Sequence, residues 1–179
     1  YPKLANKQIK LIALRHGRSV KRVRFARKLH KISTKETIER VLETKLIKYE
    51  KLNMIFPGFR EPVGMKIGFK KFCRDFGFNH TVYAEFKDRK IKKGEVYIIP
   101  DDRDLVNVIE KSKQQDLILG VDFGIISYNE TTLKKVVENG ITTISTDFVA
   151  MGKILAQMIL NGKKEQIENK CTLIIRKSL

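Results

Sequence analysis

Residues 95–146 read EVYIIPDDRDLVNVIEKSKQQDLILGVDFGIISYNETTLKKVVENGITTIST. The reading of this stretch decides the fold, because its apolar period switches repeatedly between strand-like and helix-like. EVYIIP (95–100) is a continuous apolar run, the pattern of a strand covered on both faces. Asp101 or Asp102 then stands where a helix N-cap belongs, ahead of Leu105, Val108 and Ile109 on one helical face. GIISYN (124–129) is apolar again. TLKKVVEN is a short helix that stops at Asn139-Gly140, and ITTIS (141–145) is a β-branched run. Strands alternating with helices in this way predict βαβ units and a parallel sheet.

The pattern continues on both sides. Downstream, Asp147 opens a helix to Leu160 lined by Phe148, Met151, Leu155 and Met158, and TLIIRKSL (172–179) reads as a last strand. Upstream, LNMIF (52–56) is a buried strand broken by Pro57-Gly58. Pro62 suits a first helical turn, and Met65, Phe69, Phe72, Cys73 and Phe76 mark one face of a helix ending at Gly77. HTVYAEF (80–86) is the next strand, followed by the charged loop KDRKIKKG. Nearer the start, IKLIAL (9–14) is strand-like, and Val20, Val23, Ala26 and Leu29 form a helical stripe. Ser33 and Glu36 make a capping box for a helix over 34–48. Right-handed crossovers make the expected fold an α/β, parallel, doubly wound sheet. In such sheets ligands bind at the carboxyl ends of strands. Here those ends carry Phe56-Pro57, Pro100-Asp101-Asp102 and Tyr128-Asn129-Glu130.

Composition narrows the function classes. The 179 residues are 42% apolar and 32% charged, values of a globular chain rather than a disordered one. No apolar run approaches the roughly 18 residues that span a membrane, and no signal peptide is visible. Cys73 and Cys171 are far apart and lack a CxxC partner, so they read as reduced thiols. His16, His30 and His80 have no metal-ligand spacing. No Gly-x-Gly-x-x-Gly turn, Walker loop, or Ser/His/Asp or Cys/His set is present. No cofactor is expected, and an enzyme is the class least supported.

The net charge of +17 is uneven. Residues 1–35 hold twelve Lys/Arg and no acid, leaving 25 basic and 20 acidic residues, a net +5, over 36–179. The head reads as a separate basic segment (1–35), foreign to the mildly basic domain that follows (36–179). It carries only Tyr1 and Phe25 as stacking aromatics and no helix-turn-helix pattern. Its reading is therefore non-specific attraction to phosphate.

The order of the short motifs resembles a known family. Asp101-Asp102 follows a strand, then come Gly120-Val121-Asp122-Phe123-Gly124, Tyr128-Asn129-Glu130 and Ile141-Thr142-Thr143-Ile144. Upstream, GMKIGFKKFC is similar to an R-x-x-G-F helix. Together they resemble the C-terminal part of the lac- and purine-repressor effector domains, most of all in regulators that join a GntR-type winged helix to this sensor. The resemblance covers about 38–179.

It implies a periplasmic-binding-protein-like fold of two α/β lobes with a ligand cleft between them. The chain crosses between lobes three times. TTIST would be the last crossing, and the helix from Asp147 to Leu160 would return to an N-terminal lobe. Residues 1–37 resemble neither that lobe nor a winged helix, so both are expected to lie outside this sequence.

Effector contacts carry over to Met65, Asp101, Asp102, Asn129 and Phe148. Each also has a structural reading. Asp101 or Asp102 is a helix cap, Asn129 a turn residue, and Met65 and Phe148 packing. Met65 stands where the family often has a ligand-gripping Arg, and its apolar chain offers no bidentate fork; Arg60 or Lys66 is the nearest replacement.

The implied function is effector sensing in a cytoplasmic bacterial-type transcriptional regulator. Its partners would be a sugar or nucleobase, DNA through the separate winged helix, and a second copy in a homodimer, with no membrane. A non-regulatory small-molecule binding protein and a basic nucleic-acid binder acting through 1–35 are the alternatives.

Overall fold

The computed structural model describes residues 46–59, 61–87, 89–165, 167 and 171–179. The basic segment 1–35, the strand at 9–14, the helical stripe at 20–29, nearly all of the helix over 34–48, and Arg60 lie outside the described residues.

The predicted strands form where the apolar runs place them. They are β1 (Lys51–Ile55), β2 (Asn79–Tyr83), β3 (Glu95–Ile99), β4 (Gly124–Tyr128), β5 (Thr142–Thr146) and β6 (Cys171–Ile174). The helices are α1 (Val63–Asp75), α2 (Asp102–Gln114), α3 (Thr132–Val136) and α4 (Phe148–Leu160), with 3-10 turns at Leu46–Lys48 and Val137–Asn139. The described end of the helix expected over 34–48 is thus a 3-10 turn. One sheet runs in the order β2-β1-β3-β4-β5-β6. The first five strands pair in parallel, and β6 pairs antiparallel with β5.

Register explains the two-layer cover. Leu52 faces Val96, which faces Gly124, while Met54 faces Ile98, which faces Ile126. Residues in register share a sheet face. That face packs on Phe69 and Cys73 of α1, with Tyr49, Phe56 and Leu179. The alternate positions Ile55, Tyr97, Ile99 and Ile125 pack on Leu105, Val108 and Ile109 of α2, with Phe86, Phe123 and Ile141. Every residue of β3 is buried, as its unbroken apolar run requires. Burial pushes the Cys73 thiol up to about 12, so it is an inert core group.

Two sequence expectations are corrected. HTVYAEF forms a strand only as far as Tyr83, where pairing with β1 ends. TLIIRKSL is a strand only to Ile174, and that strand is antiparallel. Among the described residues, α4 belongs to neither core cluster. An antiparallel return needs no crossover over a sheet face, and after α4 the chain comes back beside β5 in reverse. The predicted α4 stripe is the less exposed side of the helix, apart from Phe148. Met158 is buried and Met151 and Leu155 are half-buried, whereas Val149 and Leu160 are the most exposed apolar residues of the helix.

The last residues fill a gap in the ladder. β4 pairs with β5 only from Ile126 onward, which frees Ile125. The Ile125 N–H donates to Ser178 O (2.8 Å), and the Ser178 hydroxyl links Ile125 O (2.7 Å) to Thr142 N–H (2.7 Å). Leu179 is buried beyond them. This tail constrains Gly120, whose φ is +82° and whose added Cβ would come within 2.0 Å of Lys177 O. Gly77 has a similar φ of +72°, but its Cβ would meet nothing. Gly77→Ala therefore isolates backbone strain of about 1 kcal/mol. Gly120→Ala adds displacement of the tail and is expected to cost roughly 3 kcal/mol or more in denaturant unfolding. Equal costs would show that the tail is not seated against Gly120.

Candidate functional site

Parallel strands end on one edge, so the loops after β1, β3, β4 and β5 are neighbours. The order of the sheet reverses between β1 and β3, which makes their carboxyl ends the topological switch point where α/β ligands bind. All five predicted site residues lie along this edge. Met65 is in the first turn after β1, Asp101 and Asp102 follow β3, Asn129 follows β4, and Phe148 follows β5.

Their surroundings divide them. Asp101 caps α2: its carboxylate accepts from the amides of Arg103 (2.9 Å) and Asp104 (3.4 Å). Burial alone would raise its pKa. The two amides and the Arg103 guanidinium outweigh burial and hold the carboxyl below its ordinary 3.8. Asp102 is exposed and forms an ion pair with Lys134 (2.7 Å). Asp104, one turn into the helix, is pushed the other way by burial and by the charge of Asp101. Met65 packs against the α1-side core, which is its structural reading. Lys66 lies over the ring of Phe56, 5.8 Å from its centroid. Phe148 is half exposed as the first residue of α4, with Asp147 capping that helix through the Ala150 amide (2.8 Å).

Asn129 is exposed and sits at φ +60°, in the left-handed region that a turn-forming Asn tolerates. Its neighbours are tied on every side. The Asn129 N–H donates to Ile144 O (2.9 Å), and the Glu130 N–H donates to Ser145 Oγ (2.9 Å). Arg176 grips the Glu130 carboxylate with two bonds (2.6 and 3.0 Å), and Thr143 Oγ1 donates to it as well. Burial would raise the Glu130 pKa, but the bonds from Arg176 and Thr143 and the Arg176 charge lower it.

Sequence reading missed this second set: Glu130 as an ion-pair partner, Lys134, Thr143, Ser145 and Arg176. Lys134 sits in a short helix whose Lys-Lys pair looks solvent-facing. Arg176 offered one weak signal, the first cation after the apolar run Leu173-Ile174-Ile175.

No protein-family model matches the sequence, and no curated protein matches it. Solved structures do match. A LacI family transcriptional regulator from Bifidobacterium animalis subsp. lactis aligns over 80% of this chain and 59% of its own, with a TM-score of 0.64 and 16% identity. The fold is that of LacI-family regulators. A periplasmic binding protein/LacI transcriptional regulator from Alkaliphilus metalliredigens, complexed with D-xylulofuranose, aligns over 80% of this chain and 60% of its own, at TM-score 0.59 and 16% identity. The transcriptional regulator CelR in its cellobiose complex aligns over 79% of this chain and 49% of its own, at TM-score 0.57 and 12% identity. The chain spans 57–60% of the length of several such regulators. Among the described residues, no helix is long and apolar enough to cross a membrane.

The Glu130–Arg176 pair has a pH signature. A carboxylate whose folded pKa is lowered adds stability that is complete above its unfolded value, here 4.5. That stability is lost as pH falls through the lower, folded value. Glu130→Gln is therefore expected to lower stability at pH 7, by roughly 1–3 kcal/mol for a charge-assisted bond network. It should also flatten the loss of stability on acidification below pH 4.5. Unfolding curves at several pH values that coincide for both proteins would contradict the pairing.

Proposed function

We propose that the chain is effector-sensing sequence of a transcriptional regulator, binding a small neutral polyhydroxyl molecule at the carboxyl edge of its sheet. One observation carries this reading. The carboxyl edge of this LacI-type sheet carries Asp102 after β3, Asn129 after β4 and Phe148 after β5, next to the switch point between β1 and β3. A carboxylate and an amide are acceptors and donors for sugar hydroxyls, and an aromatic ring offers an apolar face to a sugar. The regulators complexed with D-xylulofuranose and cellobiose support the class.

The electrostatics favour a neutral ligand over an anion. Lys134 is engaged by Asp102, and Arg176 by Glu130. Met65 stands where a gripping Arg would take an acid. The domain acts by binding rather than catalysis: Asp101 is committed to a helix cap and Glu130 to an ion pair, so neither is poised for proton transfer. In the full regulator, on this reading, DNA is contacted by a separate GntR-type winged helix. The protein is cytoplasmic and homodimeric, and ligand binding shifts the equilibrium between two lobe arrangements.

Thermal unfolding of the chain with sugars, sugar phosphates and nucleobases tests the ligand class. A ligand at a hundredfold excess over its Kd adds about 2.7 kcal/mol to the folded state. A neutral sugar is expected to raise the midpoint, and its phosphate ester to raise it less. A shift produced only by phosphates or nucleobases would overturn the assignment.

A further inference from the structure

Lys134 is the most anomalous charge in the described structure. Its side chain is 3% exposed, although it sits in a short surface helix. Taking an ammonium out of water costs several kcal/mol unless its donors are satisfied. Here all three are matched. Nζ donates to Tyr128 O (2.6 Å), Asn129 O (3.1 Å) and Asp102 Oδ1 (2.7 Å). Two acceptors are the backbone on either side of the left-handed residue, and the third is an acid on the neighbouring helix. A non-glycine residue at positive φ persists only where its surroundings over-determine it.

We propose that Lys134 is the positioning residue of the ligand edge. Its ammonium holds Asn129 in the left-handed conformation and fixes Asp102 beside it, so that the two polar groups are presented as one preorganised unit. The inference rests on the reading of this edge as the binding site. The mechanism itself is local. The Ile144 and Ser145 contacts fix the amides of Asn129 and Glu130, and the carbonyls of Tyr128 and Asn129 accept from a further donor. Lys134 supplies it and brings Asp102 with it. Removing the ammonium takes a charged donor from both carbonyls and frees Asp102 to move away.

The test uses the full chain and heteronuclear NMR. In Lys134→Met, the Asn129 Cα and Cβ shifts are expected to leave the left-handed range. Exchange of the Asn129 amide should rise roughly tenfold or more, while Ile98 and Ile126 in the sheet centre keep their protection. Lys135→Met, an exposed neighbour, should change neither. Glycine adopts positive φ without help. Lys134→Met placed on Asn129→Gly should therefore leave exchange of the Glu130 amide nearly unchanged.

Unmoved Asn129 shifts in Lys134→Met, or equal loss of protection at Ile98 and Ile126, would overturn the proposal. Should Lys134→Met fail to fold, the wild type decides. A buried, triply bonded ammonium gives a slowly exchanging NH3 signal that shifts in Asp102→Asn, whereas a fast-exchanging one contradicts the geometry. Titration with cellobiose and D-xylulose separates the two claims. Weaker binding by Lys134→Met supports the positioning role, and unchanged binding overturns it. Failure of the wild type to bind either sugar counts against the edge as a sugar site, while the Asn129 signals still decide the role of Lys134.

Discussion

Everything at the candidate site depends on the parallel pairing of β1, β3, β4 and β5. Parallel strands cannot be joined by tight turns, so each must be followed by a connection that climbs back across a face. Each connection leaves from the carboxyl edge, and each helix begins there. The polar side chains that cap and brace those helices are thereby collected along one line. The reversal of strand order between β1 and β3 sends α1 to one face and α2 to the other. In open α/β sheets such a divergence is where ligands bind.

The edge handles its charge by pairing. Asp101 faces helix amides, Asp102 faces Lys134, and Glu130 faces Arg176. Each of these fixes backbone as well as charge. Lys134 and Arg176 also bond backbone carbonyls, at Tyr128 and Asn129 and at Ile141 (2.8 Å) respectively. The loop after β4 is thus held from α2, α3, β5 and the C-terminal tail together. Rigid support of this kind lowers the ordering cost when a ligand is bound.

How much of this is legible in sequence follows from what sequence patterns encode. Apolar period and capping chemistry are local, and they located β1 to β5, α1, α2 and α4 to within a few residues. Asp101 as a cap and Asn129 as a turn residue were legible for the same reason. The direction of β6 was not, because it is set by pairing with β5, which no local pattern states. Nor were the partners of Lys134 and Arg176. Arg176 meets a carboxylate 46 residues earlier in the chain, and Lys134 meets one on a different helix. A surface lysine and a buried one look identical in sequence. The motifs that carry the family resemblance fall along one edge of the sheet, because motif order records topology. The side-chain network behind it was recorded by no motif.

The most direct measurement of the central claim is amide chemical-shift mapping of the chain titrated with cellobiose and D-xylulose. Perturbations concentrated after the carboxyl ends of the strands, at Asp102, Asn129, Glu130 and Phe148, are the expected result. Perturbations centred on the opposite edge, at Lys51, Glu95 and Gly124, would contradict it.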